Sequence, residues 1–425
     1  MRELYVSIEL NGRQREVGTI TGDSEFSARF CYSEDYLNAH DAMPISLSMP
    51  LRSEAYDPAD TRNFFEGLLP EGFLRRTVAE NNRTDVGDYL SLLEMLGSEC
   101  LGAIQIKGPD YRRTEPCYRK LEPELMFALA AEGATRSADL VVEAHLSLTG
   151  ASGKIGAYKS IDGEWYLPVG SAPSTHILKQ SHIRFDEIVL NEQLSMLTAA
   201  NLGIDTPKSS IINAAFDAGK EEVLFATERY DRTMEGSSDE ISGLPCPLRL
   251  HQEDFGQALG IPAALKYEKA GEQHMKKMFD LLTSYSAAPI EDQMKLWDMI
   301  VFHYLIGNTD GHIKNFSLLY DRNLKSVRLA PAYDIISTVV YDTHSHQMAF
   351  AIGGESDWHK LGREDFVNAA EELRLNKRFF MKRFDDLENG FEKALSEATE
   401  SLDSLGYGAA KSLADVIREK RAELK

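Results

Sequence analysis

The chain has 425 residues, 43% apolar and 27% charged, a composition typical of a globular protein with room for more than one packed core. Its formal net charge of −21 argues against a protein that coats nucleic acid or an anionic membrane by itself. Because there is no apolar run of about 20 residues, no signal-peptide core and no CxxC spacing among the four cysteines, we expect a cytoplasmic protein with reduced thiols and no membrane span.

The first predicted domain covers residues 1–107 and mixes strands with helices. Alternating apolar residues predict strands, at 4–10, 18–20, 26–31 and 101–106. The segment TRNFFEGLLPEGFLRRTVAE is typical of helix, although Pro70 and Gly72 interrupt it, and SLLEML predicts a further helix. The polar stretch KGPDYRRTEP then predicts a linker into the next domain.

The second predicted domain, 108–245, is expected to be mostly strands between about 139 and 230. One helix interrupts them, in NEQLSMLTAANLG. Leu190, Leu194 and Leu197 are spaced as on one helix face, and Gly203 is a suitable stop.

The third predicted domain, 246–425, is mainly helical. Its clearest element is an amphipathic helix with apolar residues at i, i+3, i+4, i+7 and i+8, namely Trp297, Ile300, Val301, Tyr304 and Leu305. The basic stretch KRFFMKR at 377–383 is best explained as a solvated helix face. The sum is an α+β chain with a strand-rich lobe followed by a helical lobe.

The stretch TGASGKIG at 149–156 resembles a phosphate-binding loop. A Walker loop is excluded because Leu148 stands where the first glycine belongs and Ile155 where the hydroxyl belongs. A kinase-type glycine-rich turn between two antiparallel strands remains, with LVVEAHLSL and AYKSI as the strands. An ordinary hairpin turn is the simpler alternative for this stretch taken alone.

The strongest chemical pattern is IGNTDGHIKNFSLLYD at 306–321, which directly follows the amphipathic helix. Asp310 and Asn315 are five residues apart, the spacing of the catalytic Asp and metal-binding Asn in kinases. A hairpin of 316–321 with 327–330 would return the chain to Asp334, a second metal carboxylate. Turn and cap hydrogen bonds are the alternative for either residue alone, but the whole series favours phosphoryl transfer.

Other nucleotide contacts are predicted from position along the chain. Lys179 in THILKQS lies on an apolar strand after the glycine stretch, and Glu192 in the next helix is a candidate partner for it. The strand of EEVLFATERYDR leads to a candidate adenine hinge at Glu228, Arg229 and Tyr230. An exposed strand lysine and a solvated helix glutamate are the alternatives.

Two further segments carry titratable residues. RLHQEDF contains His251, Glu253 and Asp254, which we interpret as a helix N-terminal region because one histidine makes a metal site improbable. DTHSHQ at 342–347 has two histidines and few acids nearby, which favours a polar loop.

The chain resembles the HipA-like serine/threonine kinases, the toxin halves of bacterial toxin–antitoxin pairs. GNTDGHIKNFS is the most specific match. The other matching motifs follow in the family's order: PISLSMPL, FFEGLLPEG, SLTGASGK, THILKQ, ERYDR, RLHQEDF, PAYDIIS and AFAIGGE. The resemblance runs over most of the chain and implies a bilobed protein-kinase-like fold with an extra N-terminal subdomain that binds ATP and Mg²⁺.

The resemblance also implies roles for individual residues. Asp310 would be the catalytic base, Asn315 and Asp334 would hold the metal, and Lys179 would contact an ATP phosphate. Glu228, Arg229 and Tyr230 would form the adenine hinge. The remaining implied nucleotide contacts are Thr149, Gly150, Ala151, Ser152, Gly153 and Lys154 of the phosphate loop, with His312, Lys314 and Tyr333.

Ser147 in HLSLTGA matches the serine that family members autophosphorylate, and its phosphate would repel the phosphates of ATP. The family loop usually has GAQxK where this chain has GASGK, which puts the usual regulation in doubt. The resemblance further implies a protein substrate such as an aminoacyl-tRNA synthetase and a HipB-like helix-turn-helix antitoxin that makes the DNA contacts. A small-molecule kinase and an inactive corepressor are the alternatives.

Overall fold

The computed structural model describes residues 2–109, 115–132, 134–144, 148, 153–180, 185, 187–215, 221–342 and 345–424. The chain divides into two compact units. Unit 1 comprises Met1–Arg184, Ile212–Ala263 and Leu319–Ser326, and unit 2 comprises Phe185–Ile211, Ala264–Leu318 and Val327–Lys425. The mixture of helices and sheets confirms the predicted α+β class. The three domains drawn from the sequence stay a prediction.

The elements alternate along the chain. The strands are β1 (Arg2–Leu10), β2 (Arg13–Gly22), β3 (Arg29–Tyr32), β4 (Ile104–Lys107), β5 (Cys117–Lys120), β6 (Lys154–Lys159), β7 (Trp165–Val169), β8 (His176–Gln180), β9 (Ser209–Ala215), β10 (Glu221–Glu228), β11 (Arg232–Thr233), β12 (Glu240–Ile241), β13 (Leu244–Pro245), β14 (Leu248–Arg249), β15 (Gln252–Asp254), β16 (Ser317–Tyr320), β17 (Val327–Leu329), β18 (Gln347–Ile352) and β19 (Glu355–Asp357). The α-helices are α1 (Glu34–Leu37), α2 (Pro58–Phe65), α3 (Gly72–Asn81), α4 (Tyr89–Leu96), α5 (Pro123–Glu132), α6 (Ala134–Ala144), α7 (Ile188–Asn201), α8 (Phe255–Ala258), α9 (His274–Tyr285), α10 (Pro289–Ile306), α11 (Arg363–Glu372), α12 (Lys377–Ser404) and α13 (Ala409–Ala422).

The N-terminal sheet has the strand order β3-β2-β1-β4 and is antiparallel throughout. Leu4, Val6 and Ile8 alternate along β1 and are buried on one face, as the sequence pattern predicted. Asn11 and Gly12 form the β1–β2 turn, both with positive φ, which is the geometry that an Asn-Gly hairpin favours. The structure contains the strands β1 to β4 and the helices α2 to α4 where the sequence predicted strands and helices in the first 107 residues.

The second sheet has the order β5-β7-β6-β8-β10-β9. The register places Lys154 of β6 opposite Lys179 of β8, and Lys179 opposite Phe225 of β10. The predicted strands after the glycine stretch and before the hinge are confirmed.

One expectation about this region is wrong. LVVEAHLSL was predicted as the strand before the glycine stretch, but its first five residues end helix α6. Ala138, Val141 and Ala144 are buried at intervals of three along that helix, so a buried helical face overrides the strand preference of the two valines. The strand–turn–strand arrangement therefore lacks its first strand over residues 140–144.

Unit 1 contains a cluster of six buried charged side chains, called the ion cluster below: Glu9, Glu99, Arg229, Asp231, Arg232 and Arg249. Glu99 lies at its centre and is fully buried. One of its carboxylate oxygens is 2.7 Å from Arg232 and 3.2 Å from Arg229, and the other is 2.6 Å from Arg249. Three acids and three arginines balance, so no net charge is buried.

The arginines dominate the electrostatics of Glu99. Burial by itself raises the pKa of this carboxyl, but Arg232, Arg249 and Arg229 outweigh it and the pKa is lowered to about 2. Glu99 is therefore ionised at neutral pH and bonded on both oxygens. Removing its charge would leave a buried guanidinium without compensation.

Unit 2 is built around α10. Residues Leu296–Ile306 of this helix are all buried, so the predicted amphipathic helix is confirmed but is enclosed on every side in its second half. Helices α9 and α12 pack against it, and Phe366 of α11 and Phe380 of α12 surround Trp297. The basic stretch at 377–383 forms the first turns of α12, where Lys377, Lys382 and Arg383 pair with acids.

In the described part of the chain, none of the helices is both long enough and apolar enough to cross a bilayer.

The ion cluster yields a stability prediction. We expect Glu99→Gln to lower the free energy of unfolding at pH 7 by about 3 kcal/mol, because a buried arginine loses its counter-charge. Since the pKa of Glu99 is depressed in the folded state, wild-type stability should decline as pH falls below about 4.5. The stability of Glu99→Gln should decline less over the same pH range. Urea unfolding between pH 7 and pH 3 measures both effects.

Glu164→Gln is the matched control, because Glu164 pairs with Lys120 at the surface, where half of each side chain is exposed. Equal losses in the two variants would contradict the central place of Glu99.

Candidate functional site

The predicted catalytic loop starts where α10 ends, at Gly307. This glycine has left-handed backbone (φ 71°), and a Cβ added there would lie 2.3 Å from a methyl of Val339. Its carbonyl oxygen accepts hydrogen bonds from the backbone N–H of Thr338 at 2.9 Å and from the Thr338 hydroxyl at 3.0 Å. Glycine is needed here for conformation and for space, and the loop begins from a fixed point.

Asp310 and Asn315 are brought together by this loop. The Asn315 side-chain Nδ2 donates to the Asp310 carbonyl oxygen at 3.1 Å, and the His312 backbone N–H donates to the same oxygen at 2.7 Å. The Asp310 N–H donates to Asn308 Oδ1 at 3.0 Å. Because Asn315 uses its amide nitrogen in this bond, its amide oxygen is the atom suited to a cation.

His303, in the last turn of α10, contacts two residues of the loop. Asn308 Nδ2 donates to its Nδ1 at 2.8 Å, and a Cβ added to Gly311 would lie 2.8 Å from the same nitrogen. Burial lowers the pKa of His303 to about 4, against a smaller opposing effect of the Asp334 carboxylate, so the ring is neutral at pH 7. A neutral ring accepting at Nδ1 fixes the side chain of Asn308.

The predicted hairpin is confirmed: β16 and β17 are joined by a turn, and the Ala330 N–H donates to the Ser317 carbonyl at 2.8 Å. Beyond it, the Tyr333 hydroxyl donates to the Lys314 carbonyl at 3.0 Å and lies 2.6 Å from the Ser317 hydroxyl. The segment that carries Asp334 is thus tied directly to the loop that carries Asn315.

Asp334 itself has left-handed backbone, with φ of 57°. A non-glycine residue in this region is strained, and such residues concentrate at functional sites. Asn191 of α7, fully buried, clamps the residues just beyond: its Oδ1 accepts from the Ser337 N–H at 2.9 Å and its Nδ2 donates to the Ser337 carbonyl at 2.8 Å. The conformation at Asp334 is therefore held from both ends.

Sequence reasoning missed two side chains of this site. Asn191 follows the ordinary pattern of a buried helix residue, and nothing near it in the chain signals a partner. Tyr267 lies between α8 and α9, outside the motifs recognised in the sequence, yet its hydroxyl donates to Asp310 Oδ1 at 2.5 Å. Only the tertiary structure reveals either contact.

The donor set of Asn315 and Asp334 fits a magnesium ion. An amide oxygen and a carboxylate are hard oxygen ligands, and Mg²⁺ ordinarily takes one or two such ligands together with phosphate oxygens and water. In the described residues there is no cluster of three or more His, Cys, Asp or Glu side chains of the kind that forms a self-sufficient metal site. A metal ion held by Asn315 and Asp334 would therefore need further ligands, such as the oxygens of a bound phosphate.

In unit 1, Lys154, Lys179 and Phe225 form a row across three neighbouring strands. Both lysines are buried, and the Lys179 ammonium lies 5.6 Å from the centre of the Phe225 ring. Gly153 precedes Lys154, and its carbonyl accepts from the Gln180 N–H at 3.5 Å.

The predicted hinge residues lie at the end of β10 and just after it. Glu228 is exposed, whereas the Arg229 side chain is buried in the ion cluster with Glu99 and Asp231. The Arg229 N–H donates to the Thr175 carbonyl at 2.9 Å, and the Tyr230 hydroxyl donates to Gln252. The Arg229 side chain is therefore held in the ion cluster, and of this residue only the backbone stays a candidate for contact with adenine.

The rest of the predicted phosphate loop and the predicted autophosphorylation serine lie outside the described residues: Ser147, Thr149, Gly150, Ala151 and Ser152. Glu192 is buried in α7 of unit 2 and Lys179 belongs to unit 1, so their pairing stays a prediction.

The interpretation of RLHQEDF is confirmed, because Asp254 caps the N-terminus of α8. Glu253 next to it is buried and accepts from Ser46, from the Leu47 N–H and from Tyr320; burial raises its pKa to about 7. These bonds tie the PISLSMPL segment to β15.

Two family models match this chain. The model of the HipA-like C-terminal domain matches residues 146–395, and that of the HipA N-terminal domain matches residues 8–107. Together they include all the predicted site residues.

Individual proteins match over most of the chain. The proposed kinase Y4mE of Sinorhizobium fredii is 32% identical over 406 residues, 93% of each chain. The serine/threonine-protein kinase toxin HipA of Shewanella oneidensis is 25% identical over 390 residues, 86% of this chain and 83% of that protein. A solved complex of Shewanella oneidensis HipA with HipB and operator DNA matches with a TM-score of 0.77 at 20% identity, covering 98% of this chain and 96% of that one. That likeness confirms the predicted fold.

Gly307 is open to a direct test. We expect Gly307→Ala to destabilise the protein by more than Gly203→Ala, which should cost about 1 kcal/mol. Both glycines follow helices in unit 2 with φ near 75°, but a Cβ at Gly203 would meet nothing within 4 Å, whereas one at Gly307 would strike Val339. Chemical unfolding of the two variants isolates the clash, and equal losses would show that the helix end can shift without strain.

Proposed function

Because the chain belongs to the HipA family, as the matches to both of its domain models establish, we propose that it is a serine/threonine protein kinase using ATP and Mg²⁺. The observation that carries the proposal is the loop from Asp310 to Asn315. The Asn315 side-chain amide donates to the Asp310 backbone carbonyl, and the Lys314 carbonyl accepts from Tyr333. A loop held in this way can orient one hydroxyl and one metal-bound phosphate together.

Asp310 acts as the base in this proposal. Its carboxylate accepts the proton of a serine or threonine hydroxyl as the hydroxyl oxygen bonds to the γ-phosphorus of ATP. The bond between that phosphorus and the β–γ bridging oxygen breaks, and ADP leaves. The chain contributes mainly position and charge, because the transition state of phosphoryl transfer needs little covalent help.

Asn315 and Asp334 would hold the metal. When bound, Mg²⁺ supplies positive charge that neutralises the phosphate oxygens during transfer. The left-handed backbone at Asp334 and the Asn191 contacts to Ser337 hold the main chain that carries this carboxylate.

Several further residues are proposed to contact the nucleotide. Lys154 and Lys179 would supply charge for the phosphates, and Glu228 to Tyr230 would contact adenine through their backbone and the Tyr230 ring. His312, Lys314 and Tyr333 are the remaining proposed contacts. Thr149 to Gly153 would cover the phosphates with backbone N–H groups. Ser147, just before that loop, would be the site of inhibitory autophosphorylation.

The substrate and partner are proposed from family membership. We infer a protein substrate of the translation apparatus, such as an aminoacyl-tRNA synthetase, and a HipB-like antitoxin. The relative from Shewanella oneidensis was solved with HipB and operator DNA, and the net charge of −21 here favours a partner that makes the DNA contacts.

Intact mass after incubation with ATP and Mg²⁺ tests the activity. We expect the wild type to gain one phosphate, Asp310→Asn to gain none, and Ser147→Ala to gain none if Ser147 is the acceptor. A gain that survives Ser147→Ala but not Asp310→Asn keeps the kinase and moves the acceptor. No gain in wild-type protein that is unmodified at the start would contradict autophosphorylation and favour a small-molecule kinase or a corepressor.

Lys179 gives a second test, on binding alone. Lys179→Met should weaken binding of Mg·ATP by about 10-fold or more, because a phosphate loses a buried counter-charge. Lys159→Met is the matched control on the adjacent strand, since Lys159 is exposed and lies over Trp165. Titration calorimetry of both variants distinguishes a phosphate contact from a general effect of net charge, which would weaken both equally.

A further inference from the structure

Tyr267 contacts the carboxylate that the proposed function uses as a base. Its hydroxyl lies 2.5 Å from Asp310 Oδ1, close enough for a charge-assisted hydrogen bond. The Tyr267 ring also meets the His312 ring edge to face, with centroids 5.3 Å apart. Nearly half of the Tyr267 side chain is exposed, so it lies at the rim of the site.

The loop that carries Tyr267 is held independently of this contact. The N–H of the next residue, Glu268, donates to the Ala349 carbonyl at 2.8 Å. The Glu268 carboxylate accepts from the N–H of Ala351 at 3.2 Å and from that of His274 at 2.5 Å, which joins the loop to β18 and to the start of α9. The backbone at Tyr267 is thus fixed by its neighbour, and the hydroxyl is presented to Asp310 by a rigid frame.

A carboxylate has two oxygens and rotates easily about its terminal torsion. A donor fixed on Oδ1 sets that rotation and leaves Oδ2 in a defined direction. The backbone contacts of Asp310 to Asn308, His312 and Asn315 hold its main chain, and the Tyr267 hydroxyl contacts its carboxylate directly.

We propose that Tyr267 is a positioning residue that orients the Asp310 carboxylate toward the acceptor hydroxyl. The inference rests on the proposed kinase function. It assigns to the loop between Leu265 and His274 a direct effect on phosphate transfer and none on nucleotide binding.

The test compares Tyr267→Phe with Tyr285→Phe, a matched control because Tyr285 is also about half exposed in unit 2. Phosphate incorporation into the protein itself is followed by intact mass over a range of ATP concentrations with Mg²⁺. We expect Tyr267→Phe to lower the maximal rate by about 10-fold or more, while half-saturating ATP, directly measured ATP affinity and melting temperature stay within error of wild type. Tyr285→Phe should match wild type in all four.

Each other outcome overturns the inference in a recognisable way. An unchanged maximal rate in Tyr267→Phe means that the contact does not orient Asp310, and a faster rate means that the hydroxyl competes with the acceptor. A joint fall in ATP affinity and melting temperature means a structural role. Peptide mapping that finds phosphate on Tyr267 means that its hydroxyl is an acceptor. If wild type gains no phosphate, the proposed function fails first and this inference with it.

Discussion

The end of α10 at Gly307 is the constraint on which the candidate site depends. The second half of this helix is enclosed by protein on all sides, so it cannot slide or turn to accommodate a different end. A shift of one residue would rotate every later side chain by about 100°. It would also move His303 away from Asn308, and Thr338 away from the Gly307 carbonyl. Asp310 and Asn315 keep their positions because the preceding helix, α10, can end only at Gly307.

Unit 1 contains two groups of buried charge. The ion cluster is balanced by its own members, with every carboxylate bonded to arginine. Lys154 and Lys179 lie opposite each other on adjacent strands. In the proposed function these lysines contact the phosphates of the nucleotide, whereas the ion cluster stabilises the fold. Burial of charge alone therefore does not identify a functional group.

Local patterns in the sequence predicted much of the fold and part of the site. The spacing of Asp310 and Asn315, the hairpin after them and the strand of Lys179 are all short-range features, and the structure contains each of these elements. The failure at LVVEA has a physical cause: two valines favour a strand, but burial at three-residue intervals along α6 stabilises a helix. Contacts between distant residues were inaccessible. Tyr267 is 43 residues from Asp310, and the Arg229 side chain bonds to Glu99, 130 residues earlier.

The ion cluster also restricts which sequence exchanges this chain can accept during evolution. Glu9 and Glu99 come from the stretch that matches the N-terminal family model, whereas Arg229, Asp231, Arg232 and Arg249 come from the stretch that matches the C-terminal one. Exchanging either stretch for one from a relative with a different charge set would bury an unbalanced ion. Recombination between relatives is then restricted to parents that share the whole cluster, and the two stretches are inherited as one module despite being recognised as two.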